Sequence, residues 1–329
     1  MINFQHIFDK FDALTVMVIG DVMVDAYTWG EVSRISPEAP VPILASAQRE
    51  RRLGGAANVA LNLQALGATP LLCSVVGNDS EAGAFMKMLG ASRLSQVGML
   101  ADSSRLTTTK TRVIAGAQHL LRIDEETTKP LHEGLEKAFF AQVEQLIAGE
   151  KIDAIIFEDY DKGVITPNII RWVVNLAGIR KIPTLVDPKK RNFLEYRNVT
   201  LFKPNFKELC EGLKEDVDKK SYDAIFAAAQ KINRQMNVRY AMVTLSERGV
   251  LVSDGEQYAA VPAERRNIAD VSGAGDTVIS VASLCLSAGM AIPLVAAVAN
   301  LAGGLVCEKV GVVPVNKKLL LEECIKKLA

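Results

Sequence analysis

The chain has 329 residues, in which 38 Lys and Arg balance 38 Asp and Glu. A net charge of zero excludes a whole-surface field that would gather nucleic acid or an anionic membrane, so any anion site must be a local arrangement. Hydrophobic residues at 49% and charged residues at 23% suit a globular protein with a large core, and the length suits one α/β unit with a small appendage.

Residues 1–14 carry charges through their middle and have no apolar stretch, so no signal peptide is expected. Val16–Gly20 is a short apolar run ending in Gly and predicts a buried strand. Gly55–Leu66 predicts a helix stopped by Gly67. Pro70–Gly77 predicts a strand, Asp79–Leu89 a helix and Leu131–Ile147 a further helix. Ile152–Phe157 predicts a fully apolar strand, Asn168–Ala177 a helix, and Thr184–Asp187 and Val199–Phe202 strands. Lys220–Gln235 predicts a helix, Tyr240–Leu245 and Val250–Val252 strands, and three closing helices begin near Gly275, Ile292 and Lys317.

Strands alternating with helices predict βαβ units and a mostly parallel sheet covered on both faces. Two stretches break that rhythm. Asp25–Arg49 alternates and holds three prolines, and Thr107–Ile123 is rich in Thr and alternates. Both predict antiparallel strands of a small discontinuous β lid. Thr277–Cys307 lacks charge, but Gly289, Pro293 and Asn300 divide it, which predicts two buried helices rather than a membrane span. The five cysteines are scattered with no CxxC, which fits reduced thiols and a cytoplasmic location.

The strongest motif is Asp270-Val-Ser-Gly-Ala-Gly-Asp276-Thr277, directly before an apolar helix. Small residues admit a ligand close to the backbone. The amides of Ala274, Gly275 and Asp276 at a helix N-terminus would form an anion site. A carboxylate beside a phosphate is unfavourable unless it takes a proton from an attacking hydroxyl, the role expected of Asp276. An ordinary helix-start Asp stabilised by the dipole is the plainer alternative. GxxxxGK[ST], GxGxxG, HRD and DFG are all absent, which excludes a P-loop, a dinucleotide fingerprint and a protein kinase.

Other candidates sit where strands end, the edge at which α/β sheets bind ligands. Gly20–Asp25 brings two carboxylates, Asp21 and Asp25, of which Asp25 can accept from sugar hydroxyls. Gly54-Gly55-Ala56-Ala57-Asn58 opens a helix with a glycine turn and one amide. Glu158–Gly163 is dense in charge. Lys203–Glu208 places Asn205 and Glu208 three apart, which suits either water-mediated Mg²⁺ binding or a plain capping box. Asp187-Pro188-Lys189-Lys190-Arg191 ends another strand with a basic cluster, or is a solvated turn.

Together these motifs resemble the ribokinase-like (PfkB) carbohydrate kinase family from about Val16 to the C-terminus. Within it, Val32–Pro42, Gly20–Asp25, Leu121–Asp124 and Asp187–Lys189 are most similar to the D-glycero-β-D-manno-heptose 7-phosphate kinases. The resemblance implies a ribokinase-like three-layer sandwich with a small discontinuous β lid. One kinase domain is expected over 1–329, with lid segments at about 25–49 and 107–123. It implies transfer from ATP to O1 of heptose 7-phosphate, on the route to ADP-heptose for lipopolysaccharide. Asp276 would be the base and Gly273, Ala274 and Gly275 the anion hole. Asn205 and Glu208 fall in the family's NxxE-type motif for Mg²⁺ and phosphates. Asp25 and Asn58 match sugar-contacting positions, beside the Gly54–Gly55 turn and Asp187. Thr244, Ser246 and Gly249 fall in the nucleotide strand and loop, Asn300 falls near adenine, and Asp270 with Ser272 matches a monovalent-cation site that K⁺ would fill.

The sequence departs from the family at Asp161, where a small residue is expected. Many relatives also continue into a cytidylyltransferase-like domain. This sequence ends at Ala329, so adenylyl transfer is expected from a separate protein. Lys110, Arg112, Lys162 and Lys189, with Lys190, Arg34 and Arg122 nearby, are candidate cations for a phosphate on the acceptor. A lone small sheet is marginal unless its apolar face is covered, so a homodimer through Ile35, Val41, Ile43, Val113, Leu120 and Leu121 is expected. A kinase for another sugar, such as fructose 1-phosphate or ribose, is the alternative within the class. A non-catalytic sugar or nucleotide sensor would need no base, and the intact Asp276 argues against it.

Overall fold

The computed structural model describes residues 2–116 and 118–328. Met1, Ala329 and Ala117, the last inside the second expected lid segment, lie outside them. A short helix α1 (Phe4–Lys10) leads into β1 (Thr15–Gly20). β2 (Val22–Ile35) and β3 (Pro42–Gly55) form a long hairpin, followed by α2 (Ala56–Ala65), β4 (Thr69–Val76), α3 (Ser80–Ala91) and β5 (Gly98–Ala101). A second hairpin, β6 (Thr109–Ala115) and β7 (Gln118–Glu125), precedes α4 (Glu133–Gly149), β8 (Ala154–Glu158), α5 (Pro167–Arg180), β9 (Thr184–Asp187) and β10 (Leu201–Phe202). Then come α6 (Phe206–Leu213), α7 (Tyr222–Met236), β11 (Tyr240–Thr244), β12 (Val250–Ser253), β13 (Tyr258–Val261), α8 (Ala274–Ser287), α9 (Ile292–Val306) and α10 (Lys317–Leu328).

Among the described residues, nine strands make one sheet in the order β13-β12-β11-β10-β9-β8-β1-β4-β5. β11 through β5 in that order run parallel, and β12 and β13 turn back antiparallel at one edge. Alternation along β1 explains the three layers. Val16 and Val18 point into a core built with α2, α8 and α9, while Met17 and Ile19 point into another built with α4, α5 and α7. Each fully buried Phe or Ile in these layers contributes on the order of 1.5–3 kcal/mol of transfer free energy. Several helix starts are set locally: Asp79 accepts from the Ala82 amide at 2.8 Å, and Thr166 caps α5, with Pro167 in its first turn. Both halves of the uncharged 277–307 stretch are buried helices, and no helix among the described residues is long and apolar enough to cross a membrane.

The chain enters the sheet at β1, builds β4 and β5 on one side, then returns to place β8 on the other. β1 and β8 therefore flank the point where the winding reverses, and their carboxyl ends, Gly20 and Glu158, stand side by side.

The two irregular stretches form a separate four-stranded sheet, β3-β2-β6-β7. It is wider than the sequence suggests, since β2 starts at Val22, β3 runs to Gly55 and β7 reaches Glu125. One expectation needs correcting: β2 and β6 pair in parallel, from Val24 with Thr109 to Gly30 with Ala115. Both rise from the same root on the main sheet, where the Val24 amide donates to the Thr108 carbonyl at 2.8 Å, so they run the same way. The lid leaves Ile35 and Val41 exposed at its tip, and Leu121 and Ile123 exposed along the outer strand β7.

Candidate active site

The loop before α8 closes on Gly273, whose φ of +79° lies in the left-handed region that glycine enters without strain. That turn starts the helix and sets Asp276 in its first turn, buried. Both carboxylate oxygens of Asp276 have neutral donors. The Asn58 amide donates to Oδ2 at 2.6 Å, and the Tyr160 hydroxyl donates to Oδ1 at 2.8 Å. Burial raises the Asp276 carboxyl above its ordinary range and the Asp187 charge adds to this, while the Asn58 and Tyr160 hydrogen bonds and the Lys203 charge oppose it. An Asp raised by burial yet held by fixed donors has the features of a tuned proton acceptor.

Tyr160 is itself placed from the centre of the sheet. Asp21, directly after β1, accepts from the backbone amides of Tyr160 at 2.9 Å, Lys162 at 3.0 Å and Val164 at 3.0 Å. Asp159 adds bonds from the Asn192 side chain at 3.1 Å and the Tyr196 hydroxyl at 2.8 Å. The loop after β8 is thereby folded back across the end of β1.

Beyond Asp276 a row of charges runs along the strand ends. A Cβ on Gly275 would lie 3.4 Å from Oδ2 of Asp187 and 3.6 Å from the Lys203 ammonium. Asp187 and Lys203 form a buried ion pair at 2.8 Å. Burial alone would lower the Lys203 pKa, but the Asp187 and Glu208 carboxylates hold it above the ordinary lysine value. Lys189 pairs with Glu208 and lies 5.4 Å over the Tyr160 ring. Glu208 and Asn205 complete a reciprocal capping box on α6: the Asn205 amide donates to Glu208 Oε2 at 2.9 Å, and the Glu208 amide donates to Asn205 Oδ1 at 2.8 Å. Asn205 also bridges to Thr244 at the end of β11. Ser246, with φ of 55°, and Gly249, with φ of 86°, shape the turn that follows. Farther along, the Asn300 side chain on α9 donates to the Pro262 carbonyl at 2.9 Å.

On the lid side, Asp25 is buried and accepts from the Arg112 guanidinium at 2.5 Å. A Cβ on Gly54 would stand 2.2 Å from Oδ2 of Asp25, so glycine there keeps the carboxylate in place. Lys162 pairs with Glu126 at 2.8 Å. Half-buried Lys110 is depressed by burial and then by the neighbouring Lys162 charge. Asp270 accepts from the amides of Ser272 and Gly311, both at 2.9 Å.

The structure thus joins Asn58, Gly273–Gly275, Asp276, Asp187, Lys189, Asn205, Glu208 and Thr244 in one row, with Asp25 and Arg112 at the lid root. Lys162 and Lys189, expected as free cations, are each engaged by a carboxylate. Sequence reasoning gave no role to Tyr160, Glu158, Lys203 or Arg52. The first three each lie at or within three residues of the carboxyl end of a parallel strand, which is the signal that could have found them. Arg52 flanks the Tyr27 ring at 5.0 Å, with Arg112 also near the ring at 5.2 Å.

The Glu158–Asp187–Asp276 group is a chemically suitable place for a hard divalent cation: all three are buried, and one oxygen of each lies within 4.8 Å of the others.

Known proteins place this arrangement. The family described as pfkB family carbohydrate kinase matches residues 13–319. The bifunctional protein HldE of Koribacter versatilis is 38% identical over 308 residues, which are 93% of this chain and 62% of that protein. That of Caulobacter vibrioides is 39% identical over 309 residues, again 93% of this chain and 62% of its own length. The chain therefore spans somewhat under two thirds of these relatives. Phosphofructokinase-2 from Escherichia coli, solved with fructose-6-phosphate, has a similar fold at a TM-score of 0.78 and 18% identity, covering 94% of this chain and 98% of that one. Arabidopsis thaliana ribokinase, solved with ribose and ATP, gives a TM-score of 0.73 at 16% identity over 94% of this chain and 98% of its own. At such identities the likeness concerns the fold, which is ribokinase-like. With the family model spanning nearly its whole length, the chain belongs to the pfkB family of carbohydrate kinases.

Proposed function

We propose that the chain transfers the γ-phosphoryl group of ATP to O1 of D-glycero-β-D-manno-heptose 7-phosphate, forming the 1,7-bisphosphate in the cytoplasm on the route to ADP-heptose. The observation that carries the chemistry is Asp276: buried, aimed by Asn58 and Tyr160, and seated in the first turn of a helix whose N-terminal amides suit a phosphate, the Ala274 amide also reaching the Val271 carbonyl at 3.3 Å. The heptose assignment rests on the lid sequence 32–42 and on relatedness to the HldE proteins. The whole described chain works as one kinase unit with its lid. The relatives are named bifunctional, and this chain aligns with 62% of their length.

In this reading Asp276 takes the proton of the attacking hydroxyl, and the Gly273–Gly275 amides receive the transferring phosphoryl group. Asn205, Glu208, Thr244, Ser246, Gly249 and Asn300 line the nucleotide side. Asp25, Gly54, Gly55, Asn58 and Asp187 line the sugar side. Mg²⁺ neutralises charge on the nucleotide's phosphates when bound, with Glu208 reaching it through water, since its carboxylate already holds Lys189 and the Asn205 amide. Asp270 and Ser272 are the proposed K⁺ position.

The assay is ADP release across a panel of sugars and phosphosugars. Anchoring a remote phosphate aligns the reacting end, so its loss lowers turnover as well as affinity. Half-buried Lys110, which has no ion pair among the described residues, and the unpartnered Nη1 of Arg52 are the donors best placed to grip it, since Arg112 is held by Asp25. Free heptose is expected to show catalytic efficiency lower by roughly 10–100-fold, the worth of one or two charge-assisted hydrogen bonds. Equal efficiencies, or product phosphorylated anywhere but O1 by NMR, would reject the assignment.

A pH profile gives a second check. The Tyr160 hydrogen bond stabilises the ionised Asp276, so Tyr160→Phe raises the Asp276 pKa. The base works only when ionised, so the acid limb of kcat moves to higher pH. An unmoved limb would separate that limb from Asp276.

The exposed apolar residues of the lid also predict assembly. Ile35, Val41, Leu121 and Ile123 are too exposed for a lone small sheet, and a second lid would cover them. Light scattering at micromolar concentration should give twice the chain mass, and Leu121→Asp should return it to one.

A further inference from the structure

Glu158 ends β8 and is 1% exposed. Its Oε2 is buried and has no hydrogen-bond partner among the described residues. An ionised carboxylate left in that state costs several kcal/mol in the native fold. Nothing in the proton-transfer chemistry described above uses this residue, so its presence needs its own account.

The surroundings supply one. Oxygens of Glu158, Asp187 and Asp276 lie within 4.8 Å of one another, all three residues buried. Ligands of a single Mg²⁺, Mn²⁺ or Ca²⁺ ion, bound at about 2.0–2.6 Å, lie no more than about 4–5 Å apart. The local charge also asks for a cation. Lys203 is committed to Asp187, and Lys189 to Glu208. Neither Glu158 nor Asp276 belongs to an ion pair among the described residues, and Asp276 is held only by neutral donors. Two negative charges thus stand uncompensated, the charge of one divalent ion. The Asp276 oxygens each accept one hydrogen bond and keep a second lone pair for a ligand. An all-oxygen set selects Mg²⁺ or Mn²⁺ over softer metals.

We propose that Glu158, Asp187 and Asp276 form a divalent-cation site that loads without nucleotide, with Glu158 as the ligand whose only partner is the ion. It is separate from the nucleotide-borne Mg²⁺ near Glu208, whose carboxylate is occupied by Lys189 and the Asn205 amide. Consistent with this, burial and then the Asp187 and Asp276 charges push the Glu158 carboxyl far above its ordinary range. The site rests on the kinase reading and deepens it by placing a cation beside Asp276, where the phosphoryl group arrives.

The test uses the full chain free of nucleotide and sugar, so failure of the kinase assay and failure of cation binding are separate results. Mn²⁺ titration followed by electron paramagnetic resonance should show one site per chain, displaced by Mg²⁺. Glu158→Gln and Glu158→Ala should each weaken it at least tenfold. Mn²⁺ should raise the melting temperature of the wild type and not of either variant. Fe²⁺ placed in the site, with ascorbate and peroxide, should cut the wild-type backbone near residues 158 and 187, a readout that needs no variant to fold. Absence of nucleotide-independent Mn²⁺ binding, unchanged binding in folded Glu158 variants, or cleavage confined elsewhere would each overturn the proposal.

Discussion

Replacing Asp276 with Asn is expected to lower turnover by roughly 10²–10⁴ while leaving ATP binding largely intact. The substitution keeps shape and removes the ionisable group. Its geometry can also be kept. The carboxamide oxygen continues to accept from Asn58, and its NH₂ turns toward the Tyr160 hydroxyl, which accepts as readily as it donates. Because Asp276 is also a proposed cation ligand, Mn²⁺ binding is measured alongside, and a fall in activity beyond any loss of the ion reports lost proton transfer rather than a collapsed site. Circular dichroism and ATP affinity serve as the controls, and near-normal turnover in the folded Asn variant would remove Asp276 from the role of base.

The largest effect on stability is expected at Lys203. Lys203 is 2% exposed, and its ammonium pairs with the buried Asp187 at 2.8 Å. Lys203→Met retains most of the side-chain volume and strands the carboxylate. Breaking a buried pair from one side costs about 3–5 kcal/mol, because the remaining charge stays desolvated. With an unfolding entropy of about 2.1 cal/mol/K per residue, a chain of this length should melt roughly 4–7 °C lower. Lys203→Met combined with Asp187→Asn should recover more than half of that loss, since no lone charge then remains. A single variant that melts with the wild type would show that solvent reaches the pair. A double variant no better than the single would move the cost to packing.

The sheet was legible because its strands are nearly continuous apolar runs separated by helices with clear stops, as at Ile152–Phe157 and Thr184–Asp187. The start of α8 was legible because so few residue types permit a left-handed turn before an apolar helix. The two edge strands were not: β5 (Gly98–Ala101) and β13 (Tyr258–Val261) carry little pattern. Helix α1 escaped notice although Phe4, Phe8 and Phe11, all buried, repeat at helical spacing. The charge partners were illegible for another reason. Lys162 meets Glu126, Lys189 meets Glu208 and Arg112 meets Asp25 across long stretches of chain. Composition marks such residues as basic, but only the fold says whether a carboxylate has already taken them. The same holds for Glu158, which reads as one charge in a polar loop until its burial is known.

The root of the lid has a mechanical consequence. One residue, Asp21, separates β1 from β2, and none separates β3 from α2. The β2–β3 hairpin is therefore a cantilever built into the main sheet, with no slack loop at its own base to act as a hinge, whereas β6 and β7 join through residues 102–108 and 126–132. Any excursion of its tip must be taken up as elastic flexing of β2 and β3 near Met23 and Gly54, and the leverage of these long strands converts a large sweep at Ile35 into a small rotation there. Asp25 and Asn58 lie within four residues of that flexure. The tip's position is thus transmitted to Asp25 and to the Asn58 amide that bonds Asp276, so a load on the tip and the alignment of that hydrogen bond are two readings of one bent beam.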